Sequence, residues 1–222
     1  MTATAAPHPD TAEMVFVHNS FRKQFGNLPG LVRAVDAGDR ARAAVLVEFL
    51  GQLTAALHHH HEGEDELMWP LLLERAPVDS ALILRMEEQH ERIAELYREA
   101  DRSAAAFAAD PTPAARDALA DVLTDLNDAL GEHLHDEEAH ILPLVERVIT
   151  VPEWQALAER GRAGIPKDKQ LVFLGFLLDA NTPERGRAML AASPAPARMA
   201  WTLLGRRAFR REYRRIYGAD PS

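Results

Sequence analysis

A stripe of leucines interrupted by one histidine and one glutamate occurs twice in this chain, 73 residues apart. The first copy is Leu46, Leu50, Leu53, Leu57, His60, Glu64, Leu67 and Leu71; the second is Leu119, Leu123, Leu126, Leu130, His133, Glu137, His140 and Leu144. Steps of alternately four and three residues put all eight side chains of each copy on one stripe of an α-helix. Even a proline recurs, as Pro70 and Pro143. A weaker repeat at an offset of 72 relates Met14, His18, Phe21 and Phe25 to Met86, His90, Ile93 and Tyr97. The chain therefore reads as two α-hairpins related by a pseudo-two-fold axis. Each contributes a seam histidine from its first helix and a His-x-x-x-Glu pair from its second.

Breakers divide this region into four helices. Asn27-Leu28-Pro29-Gly30, Ala76-Pro77, Asp110-Pro111-Thr112-Pro113 and Val151-Pro152 punctuate Ala/Leu/Glu/Arg-rich segments, predicting helices over about 10–36, 39–75, 79–107 and 112–149. Asp39, Asp79 and Thr112 are the expected N-caps. Short connections make each helix the antiparallel neighbour of the last. The expected fold class is all-α: an up-down-up-down four-helix bundle over 11–150, with a flexible tail over 1–10 and a basic helical extension over 151–222.

Charge is divided the same way. Up to Thr150 there are 12 Lys+Arg against 27 Asp+Glu, a balance of −15; from Val151 onward the counts are 13 and 7, a balance of +6. An acidic bundle is a poor partner for nucleic acid, and none is expected. Arg206, Arg207, Arg210, Arg211, Arg214 and Arg215 crowd a last helix whose apolar face holds Trp201, Leu204, Ala208, Tyr213 and Ile216. Such a helix suits the acidic bundle, a second subunit or an anionic surface; docking on the bundle or a second subunit is the expectation. The longest apolar run, Leu171 to Leu178, is far below the roughly 18 residues of a membrane span. With no basic-then-apolar leader, the expected address is the cytoplasm.

The seam residues bring two glutamates and four histidines to one layer of an apolar core. A buried carboxylate costs several kcal/mol unless a counter-charge compensates it. No seam Lys or Arg does so, whereas a pair of dications would. There is no cysteine, so thiolate zinc and iron–sulfur sites are excluded; imidazole with carboxylate suits iron, manganese or zinc. Two six-coordinate metals offer about twelve positions; four imidazoles, two bridging carboxylates and a shared oxygen fill roughly ten, leaving about two for an exogenous ligand.

These residues resemble the hemerythrin-like, or HHE cation-binding, proteins of the bacterial four-histidine type. The resemblance spans roughly residues 11–149 and rests on His18, the His60-x-x-x-Glu64 stretch with Met68-Trp69-Pro70, His90, and His133-x-x-x-Glu137 with Leu142-Pro143. It implies two iron ions joined by an oxo or hydroxo group, with manganese and zinc as alternatives. His18, His60, His90 and His133 would be terminal ligands, and Glu64 and Glu137 the bridges. Glu138 matches a longer spacing used by some relatives and is an alternative bridge. Oxygen-carrying members have a fifth histidine one turn from the third-helix ligand. Here the positions a turn before and after His90 are Met86 and Ala94, which favours peroxide or nitric oxide chemistry over reversible carriage.

The remaining polar candidates have plainer readings. Within the run His58 to His61 only His60 lies on the seam by this spacing, so His58, His59 and His61 are expected on its solvated or partner-facing flanks. His135 also falls off the seam, and His8 lies in the tail. His140 occupies a seam position, as a hydrogen-bonded core histidine, a group behind the ligands or an extra ligand. Glu87 precedes His90 by three residues but falls off the seam. Met14 and Met86 read as packing. The function expected is decomposition of hydrogen peroxide or other dioxygen-derived or nitrogen-oxide chemistry. The alternatives are a non-catalytic dioxygen carrier or iron/oxygen sensor and, more weakly, iron storage.

Overall fold

The computed structural model describes residues 8–221; the first seven residues of the expected tail lie outside the described residues. Its four long helices are α1 (Ala12–Arg33), α2 (Arg40–Leu67), α4 (Ser80–Ala109) and α5 (Pro113–Asp136), with the short α3 (Trp69–Arg75) continuing α2 and α6 (Leu142–Val148) continuing α5. Each long helix packs on two others: α1 on α2 and α5, and α4 on α2 and α5. That closes an up-down-up-down ring. Caps begin the helices where the sequence places them. Asp39 accepts from the Arg42 N–H at 2.9 Å and Thr112 from Ala115 at 3.2 Å, whereas Asp79 holds the N-cap position of α4 without a side-chain bond.

Both second helices of the hairpins are interrupted just after their glutamate. In the second hairpin, Glu137–Ile141 forms a π-turn in which the Leu142 N–H reaches the Glu137 carbonyl. In the first, the helix is interrupted at Met68. Pro70 and Pro143 explain the shared position: each lacks the N–H that would hold the preceding turn. In the second hairpin the extra residue of the π-turn rotates the turns beyond it. Ile141 and Val145 are fully buried in the second copy, Met68 and Leu72 in the first. Leu67 and Leu71 are only half-buried, and His140 is exposed. His140 thus leaves the seam that an unbroken helix would have given it, and its Nδ1 lies 3.1 Å from its own helix's Asp136 carbonyl.

The core runs the length of the bundle in two parts flanking the polar layer. Phe25, Leu46, Leu50, Leu57, Phe107, Leu123 and Leu130 fill one side; Met14, Trp69, Ile83, Met86 and Ile141 fill the other. Fully burying each such side chain contributes about 1.5–3 kcal/mol. Residues just ahead of α1 are fastened: the Asp10 carbonyl accepts from Trp154 Nε1 at 3.1 Å and Thr11 donates to Glu146 at 2.7 Å.

Beyond the bundle, α7 (Val151–Ala163) opens with a capping box between Thr150 and Glu153 and lies along α2. It is followed by α8 (Gln170–Asp179), α9 (Pro183–Ala192), α10 (Ala195–Ala200) and, after a π-turn at Trp201–Gly205, α11 (Arg206–Tyr217). Gly218, at φ 71°, ends α11 in the left-handed conformation that glycine adopts freely. Several side chains join these helices to the bundle. Arg215 pairs with Glu48 at 2.8 Å, Lys23 with Asp179 at 2.8 Å, Arg42 donates to the Arg215 and Ile216 carbonyls, and Tyr217 donates to buried Gln24. Phe176 lies 5.5 Å from Phe49, ring to ring. No helix among the described residues is long and apolar enough to cross a membrane.

The α8–α11 contact depends on the absence of a side chain at Gly175, where a Cβ would sit 2.3 Å from Phe209 Cγ. Gly175→Ala is therefore expected to lower stability by about 1–3 kcal/mol, the usual range for overpacking. Urea denaturation checks this; an unchanged midpoint would mean that α11 is not tightly seated.

Candidate metal centre

Every helix of the bundle sends a side chain into the polar layer. His18 comes from α1, His60, His61 and Glu64 from α2, His90 from α4, and His133 from α5, with Glu137 at the start of the π-turn. His18, Glu64, His133 and Glu137 are fully buried, and His90 nearly so. Two groups of potential metal-binding atoms result, each within 4.8 Å of one another: His61, Glu64, His90 and His133, and His18, His60, Glu64 and Glu137. Glu64 belongs to both.

The six residues picked out by the internal repeat are thus brought together. His61 is an addition and a correction. Only 4 % of its surface is exposed, and its ring stacks on His90 with centroids 4.0 Å apart and planes 11° apart. The reason is helical. From Leu57 a step of three reaches His60 and a step of four reaches His61; both remain on the inner face, and the next turn meets at Glu64 either way. His58 and His59 lie further round, where they approach Glu62 at 3.1 and 3.2 Å. His140, His135 and Glu87 join neither group.

Hydrogen bonds on the outer side of the rings set their direction. Glu138 lies 2.9 Å from His18 Nδ1 and also accepts from Arg22 at 2.7 Å. Asp65 lies 2.8 Å from His90 Nδ1 and accepts from Trp69 Nε1 at 2.9 Å. These pairs are pseudo-symmetric: in each, the acidic residue directly after the seam glutamate holds the histidine of the neighbouring hairpin's first helix. The Nδ1 protons are thereby assigned to the carboxylates, which leaves each Nε2 as a lone pair facing inward. His133 Nδ1 rests 3.2 Å from Gln89, which in turn donates to Asp136, the partner of Arg85. Glu138 therefore stands behind His18. The sequence carries no distinguishing signal for Asp65 and Gln89, beyond the acidic residue that comes after both seam glutamates.

Facing inward, the nitrogens crowd one another. His18 and His60 bring their Nε2 atoms to 3.3 Å, and His90 and His133 to 3.2 Å. Glu64 lies 3.2 Å from His60 and 3.4 Å from His90; Glu137 lies 3.3 Å from His18 and 3.8 Å from His133. Yet none of the four carboxylate oxygens of Glu64 and Glu137 has a partner in hydrogen-bond geometry, and neither does His61 Nε2. Buried polar atoms left this way cost about 1–3 kcal/mol each. Carboxylate oxygens that converge on imidazoles without bonding them fit a shared cation, and this donor set is that of a site for borderline dications.

Titration in the metal-free protein carries the same strain. Burial, with Glu137 and Asp65 nearby, pushes the Glu64 carboxyl well above its ordinary range; burial also raises Glu137, against the pull of His18 and His90. Burial and neighbouring imidazoles hold His60, His61 and His133 well below theirs. Burial of Glu138 works the other way, but its bonds to His18 and Arg22 prevail and hold it below its ordinary value.

A family model described as the hemerythrin HHE cation binding domain matches residues 10–145. Comparisons with curated proteins and with solved structures give no match.

In the chelator-treated protein the raised Glu64 carboxyl retains a proton that unfolding releases above its ordinary value of 4.5, so stability falls as pH rises past 4.5. The depressed histidines act oppositely: the unfolded chain binds their protons below 6.5, and stability falls as pH drops below that value. Metal-free Glu64→Gln is expected to melt above metal-free wild type at pH 7, the gap closing towards pH 4. Circular dichroism melts at several pH values test this, and a wild type more stable throughout would contradict it.

Proposed function

The chain belongs to the hemerythrin HHE cation-binding family, and from that premise we propose that residues 11–150 hold a non-haem di-iron centre that reacts with dioxygen-derived or nitrogen-oxide species, with hydrogen peroxide as the substrate it decomposes. One observation carries the reading: two groups of histidines and glutamates share Glu64, and the carboxylate oxygens of Glu64 and Glu137 at their centre lack hydrogen-bond partners. His18, His60, His90 and His133 are the terminal ligands, and Glu64 and Glu137 the bridges. When bound, the iron pair with its shared oxo or hydroxo oxygen supplies the redox capacity for converting two peroxides to dioxygen and two waters.

The chain's own part is positional. Asp65 and Glu138 fix the tautomers of His90 and His18, and Gln89 orients His133. Phe21, 5.3 Å from the His60 ring, and Trp69, 5.7 Å from His90, keep bulk water from the layer. The C-terminal helices serve the bundle in this reading, their arginines answering its acidic surface, as at Arg215 and Glu48.

A second reading, reversible dioxygen carriage or iron and oxygen sensing, draws support from His61. It raises the imidazole count around the two glutamates to five, as in the oxygen-carrying members.

Full-length protein loaded anaerobically with ferrous iron is expected to retain about two irons per chain and to evolve oxygen from peroxide. Iron without turnover favours carriage or sensing; iron far above that ratio would point to storage. Asp65→Asn and Glu138→Gln should weaken metal retention about 10- to 100-fold while leaving the fold intact. Chelator competition reads this out, and unchanged retention would remove the orienting role.

A further inference from the structure

Among the residues that the fold gathers in the polar layer, the hairpin repeat fails at His61. Counted 73 residues on, His60 meets His133 and Glu64 meets Glu137, but His61 meets Leu134. Leu134 is fully buried in apolar packing. A histidine stands in place of that leucine in the first hairpin alone, at a position equally closed to water.

Packing does not account for the exchange. A buried imidazole needs a partner for each nitrogen, yet His61 Nε2 has none. The ring lies flat on His90 and edge-on to His133, with centroids 4.0 and 5.0 Å away. A ring nitrogen of His61 lies within 4.8 Å of donor atoms of Glu64, His90 and His133. His90 and His133 come from α4 and α5, whereas His18 and His60 come from α1 and α2.

We propose that His61 is a fifth imidazole ligand and the feature that makes the two metal positions chemically unequal. This rests on the di-iron reading above. Both positions would share Glu64 and Glu137; one would add His61, His90 and His133, the other His18 and His60. The first is the richer in imidazole, so it holds a borderline dication more tightly, and the second, with one imidazole fewer, gives up its metal first. The arrangement also answers the absence of a second histidine beside His90, where Met86 is buried in apolar packing. A neighbouring helix supplies the imidazole instead.

The test uses the full-length chain loaded with ferrous iron, with His61→Leu copying the residue of the other hairpin and His61→Glu keeping a donor in place. Wild type should release its two irons to a chelator in two separable steps and give two distinct Mössbauer environments. His61→Leu should lose resistance at one iron by at least about 10-fold, while its metal-free form melts higher than metal-free wild type because an unpartnered polar atom has gone. His61→Glu should restore two retained irons. If His61→Leu keeps both irons with unchanged chelator resistance and spectrum, or only destabilises the metal-free fold, His61 is a packing residue and the assignment falls. A wild type that takes up no iron overturns the di-iron reading and this assignment with it.

Discussion

Two carboxylates, Glu64 and Glu137, are buried at the centre of an apolar bundle, and among the described residues only imidazoles lie within ion-pairing distance of them. Neutral imidazole cannot discharge a carboxylate, and protonated imidazole is opposed by the same burial. The layer is thus stable only with protonated carboxyls or with cations from outside. Much of the surrounding architecture serves to hold that layer in place. Leucine seams on either side exclude water, Trp69 and Phe21 close over the rings, and carboxylates on the outer side turn the Nε2 lone pairs inward. Stability of the empty fold is sacrificed for a site that a metal completes.

The pseudo-two-fold repeat explains how one short motif produces two adjoining groups of potential metal-ligating side chains. Each hairpin contributes the same three elements, and the axis brings them to a common depth. The acidic residue after each seam glutamate, Asp65 or Glu138, grips a histidine from the other hairpin. Ligand orientation is therefore coupled across the α2–α4 and α1–α5 contacts rather than within one helix. The helix break at Met68 and the π-turn at Glu137–Ile141 fall within about a turn of the glutamates, where Pro70 and Pro143 release the backbone. They let the core resume on Ile141 and Met68 without shifting the ligands.

How much of this is legible in the sequence depends on whether helical arithmetic is unambiguous. The bundle and its four long helices are legible from the breakers and the leucine seams, and the internal repeat picks out six of the residues that the fold gathers in the polar layer. His61 reads wrongly as a flank residue because steps of three and four from Leu57 both stay inside, and periodicity does not choose between them. His140 reads wrongly as a seam residue because the π-turn adds a residue that no period encodes; only Pro143 hints at it. Glu138 is a visible candidate, but its place behind His18 depends on a contact 120 positions away along the chain. Asp65 and Gln89 escape notice for the same reason. The contact of the C-terminal helices with the bundle shows in the sequence only as opposite charge, whereas in the fold the Phe49–Phe176 contact stands beside the Arg215–Glu48 and Lys23–Asp179 pairs.

The central claim is that the His/Glu layer holds two metal ions sharing Glu64. Anomalous diffraction at the iron edge from iron-loaded crystals tests it most directly. The account requires two peaks inside the bundle, one among His61, His90 and His133 and the other between His18 and His60, with the Glu64 carboxylate between them. A single peak, or iron bound only at the surface, would contradict it.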